Sequence, residues 1–276
     1  MSRLHFAIAC ALSVAAVAAA AQEQWREYPS LERGWYHRDA PADQQPGEFV
    51  VGRLMFPQIR RGYMLGAGPG DWRAGGTAWT VDYPEGDRTF ARLLERLTTI
   101  DVRLIEQPVN LDDDLDAYYW PFLISGLVGA WDLTDEQAAK LREYLLRGGF
   151  LLCDSFYGTV EWEGFVEGIR RVFPDRPIVD LPDSHPIFHA VYDLTDRPQI
   201  PTWQHLPQGG YRNGSSGAVA RWRAIVDDDE RVMVMITFNN DIADGWQRAD
   251  EYDYPQEAAN LAISLGVNFA VYALSH

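Results

Sequence analysis

Five short segments of this 276-residue chain gather the groups that could bind or transform a ligand: residues 66–72, 107–110, 125–131, 154–158 and 239–246. They supply Asp71, Trp72, Asp154, Ser155, Tyr157, Asn239, Asn240, Asp241, Asp244 and Trp246. Carboxylates brought together from separate segments repel one another, and burial raises that cost. Such a cluster persists only beside a cation, an imidazole or guanidinium, or backbone amides. His185 is the imidazole best placed in sequence to serve, since its loop follows the helix after the 149–154 strand. Carboxylates with an imidazole could do acid–base or metal-assisted hydrolysis. Aromatic faces at Trp72, Trp131, Tyr157 and Trp246 could instead stack on a sugar ring.

Each motif also has a plainer reading. Gly66-Ala-Gly-Pro-Gly-Asp71-Trp72 lacks the Gly-Lys-Ser/Thr ending of a phosphate loop, and Asp71 stands where a dinucleotide fingerprint needs its third glycine. Cys153 lies near a strand end, but Leu151 and Ser155 stand two residues to either side where a nucleophile elbow needs small residues, so it reads as a buried strand residue. His185 and His189 have the i, i+4 spacing of a zinc pair, yet no Glu follows His185, and Pro186 biases it away from helical geometry. The segment 239–246 is rich in oxygen ligands without the twelve-residue calcium-loop spacing, so it reads as a hydrogen-bonded loop rather than a metal loop. No metal ligand set and no cofactor is therefore assigned. Asp112-Asp-Asp114 and the acidic run 227–230 read as solvated turns.

The elements that must position these groups alternate between strand and helix. Strands are expected at 49–56, 101–105, 121–126 and 149–154, the last apolar without alternation, as a buried parallel strand should be. Helices are expected at 84–99, from Thr134 through Arg147, at 161–173 and at 257–274; Thr134 and Gln137 form a capping box and Gly148-Gly149 stops that helix. Residues 115–119 read as a short helical turn and 175–217 as mostly loop. Segments 218–226 and 231–238 flank a turn and read as a hairpin. The pattern predicts an α/β fold with a doubly wound, mainly parallel sheet and a β-hairpin addition. In such sheets ligands bind beyond the carboxyl ends of the strands, which is the rule that selects the five segments.

The motifs Gly-Pro-Gly-Asp71-Trp72, Gly148 to Gly158, His185 to His189, Asn239 to Trp246 and the ending Gly266 to His276 stand in an order that resembles the bacterial domain-of-unknown-function 4159 family, over roughly residues 49–276. The resemblance implies a flavodoxin-like architecture of the class I glutamine amidotransferase-like type. It brings no activity with it. Glutamine hydrolysis is not expected, because no His is followed two residues later by Glu and Cys153 sits at the wrong kind of turn.

Residues 1–21 carry one early Arg, an apolar stretch and Ala19-x-Ala21, which together read as a cleaved signal peptide and predict a periplasmic or secreted protein. An extended arm over 22–48 and one domain over 49–276 follow. Loss of Cys10 leaves Cys153 as the sole cysteine, so no internal disulfide is expected. The formal charge of −16 disfavours nucleic acid. The apolar 257–274 helix carries Asn260, Ser264 and Asn268, so no membrane insertion is expected after signal cleavage. Two function classes remain open. The first is a non-catalytic domain binding a small molecule or carbohydrate, or an envelope protein. The second is a hydrolase using Asp154, His185 and Asp241 in acid–base or metal chemistry.

Overall fold

The structure, a computed structural model, describes residues 26–32, 48–59, 70–113 and 115–276. The expected signal peptide, the glycines at 66 and 68 and most of the arm lie outside these residues. Among the described residues there are seven strands: β1 Gly52–Met55, β2 Gln107–Asn110, β3 Phe122–Ser125, β4 Phe150–Cys153, β5 Val179–Asp180, β6 Arg221–Val226 and β7 Val232–Phe238. They form one sheet in the order β2-β1-β3-β4-β7-β6-β5. The first five in that order run parallel, and β6 runs antiparallel to both β7 and β5.

Helices α1 Glu85–Leu97, α2 Asp135–Leu146, α3 Gly158–Val172, α4 Ile242–Gln247 and α5 Gln256–Ser275 cover the two faces. Strand β4 shows why. Leu151 and Cys153 point into one apolar core with Leu141 of α2 and Phe165 of α3. Phe150 and Leu152 point into the other with Phe90 of α1, Trp246 of α4 and Leu265 of α5. A strand buried on both faces needs apolar residues at every position, and Phe-Leu-Leu-Cys supplies them. The capping box before α2 is made as the sequence requires, with Gln137 N donating to Thr134 Oγ1 at 3.2 Å and Thr134 N to Gln137 Oε1 at 3.1 Å. Helix α5 is long and apolar enough to cross a membrane; half of its apolar window is buried, with Ala262, Leu265 and Phe269 in the second core.

Three local expectations change. Residues 101–105 do not form the second strand: Val102 makes only a bridge to Phe49, and the strand is β2, further along. Arg103 is the cause, because its buried guanidinium donates to the carbonyls of Ile105 and Glu106 and turns the chain there. The segment after β7 is helical (α4) rather than a loop, with Asp241 as its N-cap. Within 175–217, β5 adds a short edge strand beside the hairpin.

Chain connections run one way from β1 to β2 and the other way from β1 to β3. In this architecture the usual ligand position is beyond the carboxyl ends of the strands at that reversal, here β1 and β3.

Candidate functional site

Four loops meet at the carboxyl ends of β1, β3, β4 and β7. Gly126, just after β3, makes the approach possible. A side chain there would meet Val81 Cγ1 at 2.5 Å, with Arg53 Nη1 at 3.6 Å and Ser155 Cβ at 3.8 Å. The loop before α1 therefore packs directly on the turn after β4.

Asp154 follows β4 and is fully buried. Its Oδ1 accepts from Thr237 Oγ1 at 2.6 Å and its Oδ2 from Ala243 N at 2.9 Å, which ties β4 to β7 and to the first turn of α4. Burial pushes its carboxyl up to about 6, against the hydrogen bonds that hold the charged form. Ser155 comes next with a left-handed φ of 58°, a strained choice for a residue other than glycine. Its hydroxyl donates to Asp241 Oδ2 at 3.0 Å. Asp241 is buried too, and the loss of water together with the charges of Asp244 and Asp154 raises its carboxyl well above the usual range.

One turn into α4, Asp244 accepts from Trp203 N at 2.7 Å and from Arg248 Nε at 3.0 Å. Opposite it stands Asp82, 1 % exposed and left-handed with a φ of 56°. Asp82 Oδ2 has no hydrogen-bond partner among the described residues. Burial first, then the charges of Asp241, Asp244 and Glu32, push the Asp82 carboxyl well up. Glu32, from the N-terminal arm, accepts from Gln247 Nε2 at 2.8 Å and lies 3.6 Å from Arg248 Nη2. Carboxylate oxygens of Glu32, Asp82 and Asp244 all lie within 4.8 Å of one another, so among the described residues these three could share a cation. Arg53, fully buried in β1, is paired with Asp87; its Nη1 has no partner, and neither does the buried Ser125 hydroxyl at the end of β3.

The structure thus joins Asp154, Asp241 and Asp244 and leaves other sequence candidates apart. Asp71 is exposed and caps a single helical turn by accepting from Arg73 N. Asn240 is buried and holds Ile200 N through its Oδ1, a loop-fixing role. The expected aromatic platform is core instead. Trp246 is fully buried, stacked on Phe90 at 4.1 Å, and donates to Ala262 O. Tyr157 is fully buried under Arg212, and Trp72 and Trp131 are 8 % and 3 % exposed.

His185 is at the wrong edge. It caps a turn by accepting from Ile187 N and packs on Tyr272, whose hydroxyl meets Val232 N at the start of β7. That is the amino edge of the sheet, so Asp154 has no imidazole from His185; its charge acts on the buried Arg53 instead. Cys153 is fully buried with its thiol pushed well up by burial, as a structural strand residue should be.

Sequence reasoning missed Glu32, Asp82, Arg53 and Gln247. One signal was readable: an Arg inside the apolar run FVVGRLMF has to find a buried partner. A family model described as domain of unknown function (DUF4159) matches residues 71–274. The chain belongs to this family. The DUF4159 match spans Asp82, Asp154, Asp241 and Asp244, whereas Arg53 and Glu32 precede it. No curated protein matches the chain.

Proposed function

We propose that this DUF4159 protein is an exported binding domain that takes a small polyhydroxylated ligand at the carboxyl edge of its sheet. The observation that carries the proposal is the set of buried polar atoms left without partners there: Arg53 Nη1 and Ser125 Oγ as donors, Asp82 Oδ2 and Gln247 Oε1 as acceptors. Buried polar groups are nearly always paired, and several unpaired at one edge call for a ligand or ordered water. Donors and acceptors side by side suit the hydroxyls of a sugar, which give and accept in turn. The strand order β2-β1-β3-β4-β7 supports a flavodoxin-like, class I glutamine amidotransferase-like assignment, an architecture that binds ligands at the carboxyl edge of its sheet. Glutamine hydrolysis is not part of the proposal, since Cys153 is buried within its strand.

The test is a thermal-shift panel of mono- and disaccharides, uronic acids and amino sugars. At least one compound raises Tm, and Ser125→Ala, which removes an unpaired hydroxyl from the edge, weakens that response. A panel without any response sinks the proposal. Export is checked by N-terminal sequencing of secreted or periplasmic material, which should begin near Gln22.

A hydrolase is the second reading, and one observation favours it. Ser155 sits on a strained strand-to-helix turn with its hydroxyl on Asp241, the relation of a nucleophile to its base. Its hydroxyl is already committed to Asp241, whereas the four polar atoms named above have no partner, which is why binding is preferred. Covalent labelling of Ser155 by a fluorophosphonate probe would reverse that order.

A further inference from the structure

The acidic corner of this edge is more negative than its own cations neutralise. Asp244 and Glu32 share Arg248, which also holds Glu251 at 3.0 Å. Asp82 makes no ion pair among the described residues, and its Oδ2 accepts no hydrogen bond. A neutral side chain supplies a second observation. Gln247 is 7 % exposed; its Nε2 is used on Glu32, and its Oε1 has no partner. Gln247 lies against Asp82 as well, because the Cβ atoms of both residues fall within 4 Å of the position a side chain at Gly86 would take. The amide oxygen is therefore buried and unpaired, on the same amide whose nitrogen holds Glu32.

We infer that Glu32, Asp82 and Asp244, with the Gln247 amide oxygen, form a calcium site. All four donors are oxygens, which select hard cations over zinc, copper or iron(II). Three carboxylates and an amide favour calcium over magnesium, which usually keeps several waters and takes one or two carboxylates. Oxygens bound at about 2.4 Å to one ion can stand up to about 4.8 Å apart, as calcium ligands do. Magnesium, at about 2.1 Å, would draw opposite ligands to about 4.2 Å and demand octahedral order. The carboxylate oxygens here are within 4.8 Å of one another, a span that a calcium shell covers. The ligands come from the N-terminal arm, the loop before α1 and helix α4, so the ion would pin the arm to the sheet edge. The inference rests on the binding proposal above, for which the ion would be a fixed anchor able to take two sugar hydroxyls.

Calorimetric titration of the chelator-stripped protein with calcium chloride and with magnesium chloride tests it, alongside thermal unfolding. The expected result is one calcium site, weaker magnesium binding, and a Tm raised by roughly 3 °C or more at about ten times Kd. Asp82→Asn should weaken calcium at least about tenfold while keeping its near-ultraviolet dichroism, since it removes a charged ligand. Gln247→Leu should weaken it less and leave the net charge unchanged, which separates coordination from general attraction. No calcium heat and no calcium-dependent Tm in the unsubstituted protein overturn the site. Calcium affinity within about twofold in both variants also overturns it, as binding is then elsewhere. Calcium bound but every sugar ignored leaves the site standing and ends the polyhydroxyl reading; the reverse result ends the site alone.

Discussion

Replacing Asp82 with Asn should make the cation-free protein more stable, an unusual outcome for a buried charged residue. Two limits bound the gain at pH 7. If Asp82 stays ionised, one like-charge pair with oxygens no more than 4.8 Å apart costs at least about 3.5 kcal/mol at an effective dielectric constant of about 20. If it takes up a proton instead, folding must protonate a carboxyl whose ordinary value is 3.8, which costs about 4 kcal/mol at pH 7. Attraction from Arg53 returns part of either cost. The expected net stabilisation is therefore about 1 to 3 kcal/mol. Asn keeps the size of the side chain and tolerates the left-handed φ of 56°, so little backbone penalty offsets the gain. The assay is urea unfolding in EDTA at several pH values. Because burial and like charges raise the folded-state value, the wild-type carboxyl stabilises the fold only at low pH, and that contribution is lost as pH rises. The advantage of Asn should thus grow with pH and vanish below about pH 4. Destabilisation by more than about 1 kcal/mol at pH 7 would refute the reasoning, since it would mean that the carboxylate makes a favourable contact.

Four other outcomes follow from the geometry. Asp154, raised to about 6, stabilises the fold below about pH 4 and loses that contribution as pH passes 6; the stability of the wild type relative to Asp154→Asn should fall by about 3 kcal/mol between pH 4 and pH 7 in urea titrations. Gly126→Ala should cost about 2 kcal/mol and blunt any ligand response, because its Cβ would lie 2.5 Å from Val81 Cγ1; an unchanged urea midpoint would show that the loop before α1 is free to move. Cys153→Ala should cost about 1 kcal/mol and nothing in binding, and Cys153 should resist thiol reagents until the protein unfolds; rapid labelling of the folded protein would contradict its burial. His185→Ala should leave calcium and saccharide responses unchanged, since the imidazole sits at the amino edge, and a lost response would put it back in the site.

Most of the architecture was legible because periodicity and caps are local signals. The Thr134–Gln137 box and the Phe-Leu-Leu-Cys strand needed nothing from the rest of the chain. Strand β2 was misplaced because its position depends on where the Arg103 guanidinium finds carbonyls, which is a folded-state contact. The site was legible by halves. Asp154, Asp241 and Asp244 follow two parallel strands, so topology alone brings them together. Asp82 sits at the far end of the long connection from β1 to α1, and Glu32 on an arm whose docking no pattern announces. His185 failed because sequence order says that its loop follows α3 but not at which edge of the sheet the loop emerges. The aromatic residues failed for a simpler reason. Trp246 and Tyr157 do lie near strand ends, but their side chains turn inward, where burial rewards a large apolar surface more than exposure would.

Amide hydrogen exchange with and without calcium tests the central claim, that the carboxyl edge is the binding edge, most directly. Peptides covering residues 79–87 and 239–248 carry Asp82, Asp241, Asp244 and Gln247, and their exchange should slow when calcium is added. Peptides covering 183–193, at the opposite edge, should exchange as before. Slowing confined to 183–193, or none at 79–87 and 239–248 under saturating calcium, would contradict the account.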